Sequence, residues 1–311
     1  MFCGCLRRPN IVVDEKCEKI SEVSIPNKLY KYFLKYNNSR ILFDINEYKP
    51  KKLGNGASAT AYKLIIENDS YTCKHYKKDK KYQNEIIKEI EILKQIKCER
   101  FPLFCTYLKQ SNDMFIFYEY IDGEDLYEVI DKKYNIINNK KSQLSIIYEI
   151  TKALYTLFKN NFVHLDLKPE NIMITNLNPI KLKLIDLECV HNIQDSKIKR
   201  QCGTIGYTPP EIVLHSRYYY NSDIWSLGCI FFLLLTEYLM FPTDLEPFVK
   251  TLKNFTSIYR INSIITSTLI NLPKNIVSLL NKMLKSDHTE RINITYILKC
   301  KLMRDLTNNT L

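Results

Sequence analysis

Hydrophobic and polar positions follow two different patterns along the chain, and the pattern changes near residue 121. Before it, short alternating runs predict five strands, at 48–56, 59–66, 71–76, 103–109 and 114–120. Turn signals at 54–56 and 67–70 separate the first three strands. Between the third and fourth, Ile86, Ile90 and Leu93 share one helical face, which predicts a single helix there.

After Gly123 the apolar residues repeat with a helical period and predict helices over 143–161, 222–236, 276–284 and 292–298. The stretch 222–236 is apolar nearly all round, which is typical of a helix buried in a core. We therefore predict an α+β fold with two lobes: a small N-terminal β-sheet lobe with one helix, and a larger, mainly helical C-terminal lobe.

The predicted domain covers residues 47–301 and divides into lobes of about 47–121 and 122–301. Residues 1–46 carry no motif and are expected to form an N-terminal extension, and 302–311 a C-terminal tail. The chain has 311 residues, of which 45% are hydrophobic, so it is too apolar to be disordered. Its net charge of +11 is compatible with nucleic acid, an anionic membrane or phosphate-bearing ligands, or with nothing beyond solubility.

Cysteine usage and the N-terminus bear on location. The ten cysteines include no C-x-x-C pair and stand at no zinc spacing from histidines, which favours reduced thiols and a cytoplasmic protein. The run 227–235 is too short to span a membrane. Cys3 and Cys5 beside Arg7 and Arg8 fit either a frayed tail or S-acylation with weak membrane association. Frequent Lys, Asn and Ile favour an AT-rich genome, such as that of a large DNA virus or a protist, so a viral protein would lie in the host cytoplasm.

The string most specific for chemistry is H-L-D-L-K-P-E-N at residues 164–171. Asp166, Lys168 and Asn171 place a base, a cation and a metal-binding amide within one loop. The string resembles the catalytic loop of eukaryotic protein kinases, H-R-D-L-x-x-x-N. Lys168 followed by Pro169 is similar to the Ser/Thr branch of that superfamily.

Further strings resemble the other kinase motifs and occur in the family order. Residues 53–63 resemble the glycine-rich loop, although Ala59 stands at the third glycine. Lys74 stands where the family has its third-strand lysine. Glu89, or alternatively Glu85, would be the glutamate that pairs with it.

Downstream, residues 186–188 read D-L-E at the position of D-F-G, and residues 203–211 resemble G-T-x-x-Y-x-x-P-E. Residues 223–228 match D-x-W-S-x-G, and Arg291 stands where the family pairs an arginine with the glutamate at Glu211. Glu188 in place of glycine is expected to restrict flipping of this segment without loss of catalysis, because Asp186 is present.

The resemblance implies roles for individual residues. Asp166 would orient the substrate hydroxyl and accept its proton, Lys168 would stabilise the transferring phosphoryl group, and Thr204 would bond this pair and favour Ser/Thr acceptors. Lys74, oriented by Glu89, would hold the nucleotide phosphates, and Asn171 and Asp186 would bind Mg²⁺, for which Mn²⁺ can substitute. The implied ATP-binding positions are Leu53, Gly54, Asn55, Gly56, Ala61, Lys74, Glu119, Ile121, Asn171 and Asp186. Tyr118 would be the gatekeeper beside a small pocket behind the adenine.

We therefore expect a monomeric serine/threonine protein kinase that uses ATP and acts on protein substrates. Leu165 replaces the arginine of H-R-D, the residue that reads an activation-segment phosphate, so activity without phosphorylation there is expected; Ser196 is the one Ser or Thr between Asp186 and Thr204. The alternatives are a kinase-like scaffold that binds nucleotide without transfer, and a kinase-fold enzyme acting on a small molecule. A specific nucleic-acid binder ranks last, because no nucleic-acid motif accompanies the charge.

Overall fold

A computed structural model describes residues 45–56, 58–66, 68–76, 83–110, 113–132, 139–194, 202–254 and 272–308. The chain divides into two compact units: unit 1, which is Met1–Lys97 with Pro102–Ile121, and unit 2, which is Cys98–Phe101 with Asp122–Leu311. Cys3 and Cys5, for which the sequence allows either a frayed tail or S-acylation, and Ser196 of the activation segment lie outside the described residues.

Unit 1 contains a five-stranded antiparallel sheet with the strand order β1-β2-β3-β5-β4. The strands are β1 (Lys51–Asn55), β2 (Ala59–Ile66), β3 (Asp69–Tyr76), β4 (Phe104–Gln110) and β5 (Asp113–Glu119). Helix α1 (Gln83–Gln95) lies between β3 and β4 in the chain. Among the described residues of unit 1, the five strands and helix α1 agree with the predicted elements.

The two faces of this sheet differ because successive strand residues point to opposite sides. On one face an apolar cluster contains Leu64, Ile66, Tyr71, Cys73, Cys105, Leu108, Phe115 and Phe117. On the other face of β3 and β5, Lys74 is opposite Ile116 and Tyr76 is opposite Met114. The first face therefore forms a core, and the second carries the lysine singled out by the sequence.

The predicted start of the first strand at residue 48 is wrong. Ile45–Tyr48 form a 3₁₀ turn, and β1 begins only at Lys51. Residues three apart lie on the same side of a 3₁₀ helix, and both Ile45 and Tyr48 pack against the apolar cluster of the sheet. Lys49, with a φ of 46°, then turns the chain into the strand. Alternation alone cannot distinguish this arrangement from an extended segment.

Unit 2 is mainly helical. Its helices are α2 (Leu126–Asp131), α3 (Lys140–Lys159), α4 (Pro210–His215), α5 (Ser222–Thr236), α6 (Leu245–Asn254), α7 (Lys274–Met283), α8 (Ile294–Lys299) and α9 (Lys301–Asn308). Its short strands are β6 (Glu124–Asp125), β7 (Phe162–Val163), β8 (Ile172–Leu177), β9 (Ile180–Leu184) and β10 (His191–Asn192). They form a three-stranded sheet in the order β6-β8-β9 and a separate β7-β10 pair. The α+β class is confirmed.

Helix α5 lies at the centre of unit 2, as its apolar composition predicts. It packs against α3 and α7, and the Gln143 side chain of α3 donates a 2.7 Å hydrogen bond to the Leu234 carbonyl of α5. At Gly228 of α5 an added Cβ would lie 2.9 Å from the Leu284 side chain, so glycine permits the close approach of the segment after α7.

Several short elements of unit 2 were not predicted, because they contain too few residues to show a hydrophobic period. These include α2, α4 and the β8-β9 hairpin. The segment expected as a tail from residue 302 lies largely in α9, where Met303 is buried and the helix packs against α3 and α8. Among the described helices, none combines the length and apolarity that crossing a membrane requires.

Candidate active site

The residues predicted for the site fall into two groups, one in each unit. Unit 1 holds the glycine-rich segment, Lys74, Glu89, Glu119 and Ile121. Unit 2 holds the catalytic loop at 164–171, Asp186 and Thr204. The residues of each group are positioned by the strands, helices and loops of their own unit.

Lys74 and Glu89 form the ion pair that the sequence predicts. The Lys74 ammonium lies 3.2 Å from Glu89 Oε1, and the glutamate is only 2% exposed. The alternation of β3 turns Lys74 away from the apolar cluster, and the helical period of α1 turns Glu89 inward. The choice of Glu89 as the partner is confirmed; the side chain of the alternative, Glu85, lies outside the described part of the structure.

Two further side chains reach the same carboxylate and were missed as its partners. The Tyr118 hydroxyl donates to Glu89 Oε1 at 2.8 Å, and the Tyr76 hydroxyl donates to Oε2 at 2.9 Å. Tyr76 lies two residues after Lys74 on β3 and therefore shares its face. That spacing is a sequence signal that identifies Tyr76. Tyr118 comes from β5, and only the sheet register brings it to this face.

The glycine-rich segment forms the β1-β2 hairpin. The Gly56 N–H donates to the Ala59 carbonyl at 2.8 Å, and the Thr60 hydroxyl donates to Asn55 Oδ1 at 2.7 Å. A Cβ at Gly54 would meet nothing within 4 Å, and at Gly56 it would make only an ordinary contact. Neither glycine is among the described residues with positive φ. The protein's own conformation therefore does not require glycine at either place.

The remaining nucleotide positions of unit 1 lie on or beside this sheet. Leu53 of β1 is exposed, Ala61 of β2 is half-buried, and Glu119 ends β5 two residues before Ile121. The Glu119 N–H donates to the Leu103 carbonyl at 3.0 Å. Any adenine contact to the main chain of Glu119 must therefore be to its carbonyl.

The catalytic loop of unit 2 is held by a buried carboxylate on α5. Asp223 Oδ2 and Oδ1 accept from the main-chain N–H groups of His164 and Leu165, at 2.7 and 2.9 Å. Burial raises the pKa of Asp223, and the two N–H donors oppose that rise. Leu165 has a φ of 64°, which is costly for a leucine, and these two bonds offset that cost. The sequence singled out Asp223 only as part of a motif, so its role as an anchor is a finding.

Asp166, Lys168 and Thr204 form one hydrogen-bonded group. The Thr204 hydroxyl donates to Asp166 Oδ1 at 2.7 Å and accepts from the Lys168 ammonium at 3.1 Å. The ammonium lies 3.7 Å from Asp166 Oδ2. The predicted bond between Thr204 and this pair is confirmed.

Thr204 is itself held from both sides. Gly203 has a φ of 100°, and a Cβ there would collide with the Thr208 side chain, so only glycine fits. The Thr208 hydroxyl donates to the Thr204 carbonyl at 2.8 Å, and Ser226 of α5 donates to the Tyr207 carbonyl at 2.9 Å. Helix α5 therefore holds both the catalytic loop and the segment that carries Thr204.

Asn171 and Asp186, the predicted metal ligands, lie on adjacent segments. The Ile185 N–H donates to the Asn171 carbonyl at 2.9 Å. The Asn171 amide nitrogen donates to the Asp166 carbonyl at 2.8 Å, which leaves the amide oxygen as the ligand atom. Within the described ranges no three His, Cys, Asp or Glu side chains form a metal cluster. An amide oxygen with a single carboxylate fits Mg²⁺, which keeps several waters and takes substrate phosphates.

The D-L-E segment accommodates both residues that differ from D-F-G, Leu187 and Glu188. Asp186 has a φ of 63° and takes the left-handed conformation itself, whereas Glu188 is not among the described residues with positive φ. Leu187 is buried, as a substitute for phenylalanine should be. Glutamate in place of glycine therefore causes no backbone strain in this conformation.

Leu165 lies where a phosphate-reading arginine would stand, and its surroundings are apolar. It is 3% exposed and clusters with Val163, Cys202, Ile212 and Tyr218, which Cys189 and Ile193 also contact. A hydrogen bond with the Cys202 thiol, together with burial, raises the pKa of Cys189, so that thiol stays neutral. We call these seven residues the Leu165 cluster.

The predicted pair of Glu211 and Arg291 is confirmed. The guanidinium binds the carboxylate through two bonds, of 2.7 and 2.9 Å, and the arginine side chain is fully buried. Ser222 donates to the same carboxylate at 2.9 Å, and the Lys285 carbonyl accepts from the Arg291 Nε at 3.0 Å. Removing one partner would leave an unpaired buried charge.

Comparison with known proteins decides the family. Residues 48–303 match the protein kinase domain. The chain belongs to the protein kinase family. The matched range includes residues of both units. The eukaryotic-type resemblance of the motifs is confirmed.

Curated relatives include three kinases. A probable serine/threonine-protein kinase 2 of Plasmodium falciparum is 31% identical over 193 residues, which are 60% of this chain and 37% of that protein. The Aurora kinase of Saccharomyces cerevisiae is 29% identical over 250 residues, which are 78% and 65%. Myosin light chain kinase 2 of Rattus norvegicus is 28% identical over 183 residues, which are 58% and 29%. This kinase therefore spans less than two thirds of the length of each.

Proposed function

We propose that this kinase transfers the γ-phosphoryl group of ATP to serine and threonine hydroxyls of protein substrates. The observation that carries the proposal is the Thr204 hydroxyl, which bonds both Asp166 and Lys168. A relative whose name includes serine/threonine-protein kinase supports the choice of acceptor.

In this proposal each side chain of unit 2 acts where its neighbours hold it. Asp166, with one oxygen committed to Thr204, orients the acceptor hydroxyl and takes its proton. Lys168 brings positive charge to the transferring group. Thr204 keeps the carboxylate and the ammonium in a fixed relation. Positioning of this kind supplies most of the catalysis in phosphoryl transfer.

The proposal gives residues of each unit a role in nucleotide binding. Gly54 and Gly56 leave room that the protein itself does not need, which suits close approach of the main chain to phosphates. Lys74, paired with Glu89, holds phosphate oxygens. Asn171 and Asp186 would hold Mg²⁺, or Mn²⁺ in its place, and a bound ion would supply positive charge against the phosphate oxygens.

Phosphate transfer to casein, histone and myelin basic protein tests the proposal. The full-length protein is incubated with Mg²⁺ and labelled ATP, beside Lys74→Met, Asp166→Asn and the exposed control Asp305→Asn. We expect Asp166→Asn to reduce kcat by about a thousandfold, the control to match wild type, and the label to be on phosphoserine and phosphothreonine. Wild-type transfer no higher than that of the two site variants, with nucleotide still bound, would favour the scaffold alternative.

Thr204 gives a finer test of the acceptor choice. Thr204→Val removes the hydroxyl that joins Asp166 and Lys168, whereas Thr204→Ser keeps it. We expect the valine variant to lose about tenfold or more in kcat, and the serine variant to stay close to wild type. Equal activity of the two variants would contradict a role for the hydroxyl.

We also propose that the kinase is active without phosphorylation of its activation segment. The Leu165 cluster supports this, because buried apolar contacts join residues from both ends of the segment between Asp186 and Glu211. An apolar site offers a phosphate no charge-assisted hydrogen bond. Phosphatase-treated wild type and Ser196→Ala should both keep full activity in the transfer assay. A collapse of activity in either sample would refute this part of the proposal.

A further inference from the structure

The carboxylate of Glu89 has more hydrogen-bond donors than a simple ion pair supplies. Its contacts to the hydroxyls of Tyr118 (2.8 Å) and Tyr76 (2.9 Å) are both shorter than its contact to the Lys74 ammonium (3.2 Å). The two phenols also engage different oxygens, Tyr118 at Oε1 and Tyr76 at Oε2. Because both oxygens are bonded, rotation of the carboxylate about its last torsion is restricted.

Sheet register explains how the phenols reach one carboxylate. Tyr76 is two residues after Lys74 on β3, and Tyr118 on β5 is opposite Thr72, two residues before Lys74. All three side chains therefore share a face, with the tyrosines on either side of the lysine along the strands. The lysine thus meets a carboxylate that its two neighbours already hold.

Because Glu89 is buried, the loss of any of these bonds has a large free-energy cost. A carboxylate that is 2% exposed loses its hydration and depends on protein donors. Removing one donor leaves the buried carboxylate with fewer hydrogen bonds than it needs, which costs more free energy than losing the same bond in water. The carboxylate can recover hydration by leaving the face of the sheet, and Lys74 then loses its partner. The phenols therefore favour the paired state of Lys74 and Glu89.

We propose that Tyr76 and Tyr118 are positioning residues that keep Glu89, and through it Lys74, in the nucleotide-holding arrangement. The inference rests on the proposed kinase function, because it assigns the purpose of the pair to binding phosphates. It adds that unit 1 maintains its pair through residues of its own sheet. In kinases this pair must be in place for transfer, so a built-in restraint suits an enzyme that is active without activation-segment phosphorylation.

Hydroxyl deletion in the full-length protein tests the inference. Tyr76→Phe, Tyr118→Phe and the double variant are compared with Tyr71→Phe, a matched control on β3 whose ring is buried in the apolar cluster of the opposite face. The readouts are kcat/KM for ATP and the Kd of Mg-ATP, with a melting curve for each variant. We expect each single variant to lose about tenfold in kcat/KM, the double variant to lose more, and the control to stay within twofold.

A double-mutant cycle separates positioning from packing. In a Glu89→Gln background the acceptor has lost its charge, so adding Tyr118→Phe or Tyr76→Phe should change the Kd of Mg-ATP less than twofold. A loss in this background as large as in wild type would mean that the tyrosines act by packing, and would overturn the inference. Single and double variants within twofold of wild type would overturn it as well.

The two proposals fail in different ways. If wild type transfers no phosphate to any substrate, the proposed function fails, and the Kd of Mg-ATP for the tyrosine variants still decides whether the phenols position Lys74. If wild type is active and the variants equal it in both readouts, the kinase function stands and the inference is wrong.

Discussion

The Lys74-Glu89 pair of unit 1 and the catalytic loop of unit 2 both depend on a buried carboxylate, but the donors differ in kind. Glu89 accepts from three side chains that come from two strands. Asp223 accepts from two consecutive main-chain N–H groups, those of His164 and Leu165. Side-chain donors hold one group in place, whereas main-chain donors hold the path of the chain. Damage to the first should therefore affect function more than folding, and damage to the second should affect both.

Among the variants that test this difference between the units, Asp223→Asn is expected to cause the largest loss of stability. The amide can accept from one N–H but turns its own NH₂ group towards the other, so a buried donor is left facing a donor. We expect a loss of about 4 kcal/mol in the free energy of unfolding, together with a marked fall in kcat. Denaturant unfolding and the transfer assay measure the two.

The control for Asp223→Asn is Asp305→Asn, the same change at an exposed residue of α9. The pH dependence adds a check. Burial raises the pKa of Asp223 above its unfolded value, so its contribution makes stability fall as pH rises from the unfolded pKa through the raised one. That fall should be missing in the variant. A variant that loses activity while keeping wild-type stability would break the distinction between the units.

A smaller loss of stability is expected at Leu165, the strained residue whose main-chain N–H bonds Asp223. Leu165→Ala leaves the φ of 64° unchanged, because alanine meets the same strain as leucine there. It removes a buried side chain from the Leu165 cluster. We expect a loss of about 3 kcal/mol in the free energy of unfolding, measured by denaturant titration. Leu239→Ala, at a leucine of unit 2 that is 46% exposed, should stay close to wild type, and an equal loss in both variants would contradict the packing role.

The smallest expected effect is a change in the pKa of Asp287, an exposed carboxylate of unit 2. The Thr289 hydroxyl and N–H donate to its Oδ1 at 2.7 and 2.8 Å and lower its pKa. Because the folded pKa lies below the unfolded one, the contribution to stability is present above the ordinary aspartate value and is lost as pH falls through the lowered pKa. Thr289→Ala removes the hydroxyl alone, so the pKa should rise part of the way, as an NMR titration can measure.

Thr295→Ala serves as the control for this titration, because its hydroxyl donates to Asn293 and not to Asp287. The pKa of Asp287 should be the same in this variant as in wild type. A wild-type pKa at the ordinary aspartate value would show that exposed hydrogen bonds do not perturb this carboxylate, and that burial is what distinguishes Asp223.

Much of the site could be predicted because most of its residues belong to short sequence motifs. Asp166, Lys168 and Asn171 stand within six residues of one another, so a local motif identifies them without the fold. The family resemblance predicts Glu89, with Glu85 as the alternative, and the ion pair with Lys74 confirms Glu89. The predicted start of β1 is wrong because a 3₁₀ turn can pack Ile45 and Tyr48 against the sheet as well as a strand can.

The sequence by itself determined the α+β class, the order of the main elements and the residues that carry the kinase motifs, because periodicity and local strings need no long-range contact. Only the tertiary structure decided that Tyr118 meets Glu89 across the sheet, that Asp223 holds the catalytic loop and that Leu165 lies in an apolar cluster. These contacts join residues far apart in the chain. Their formation depends on strand register and on the burial of α5, which no local pattern specifies.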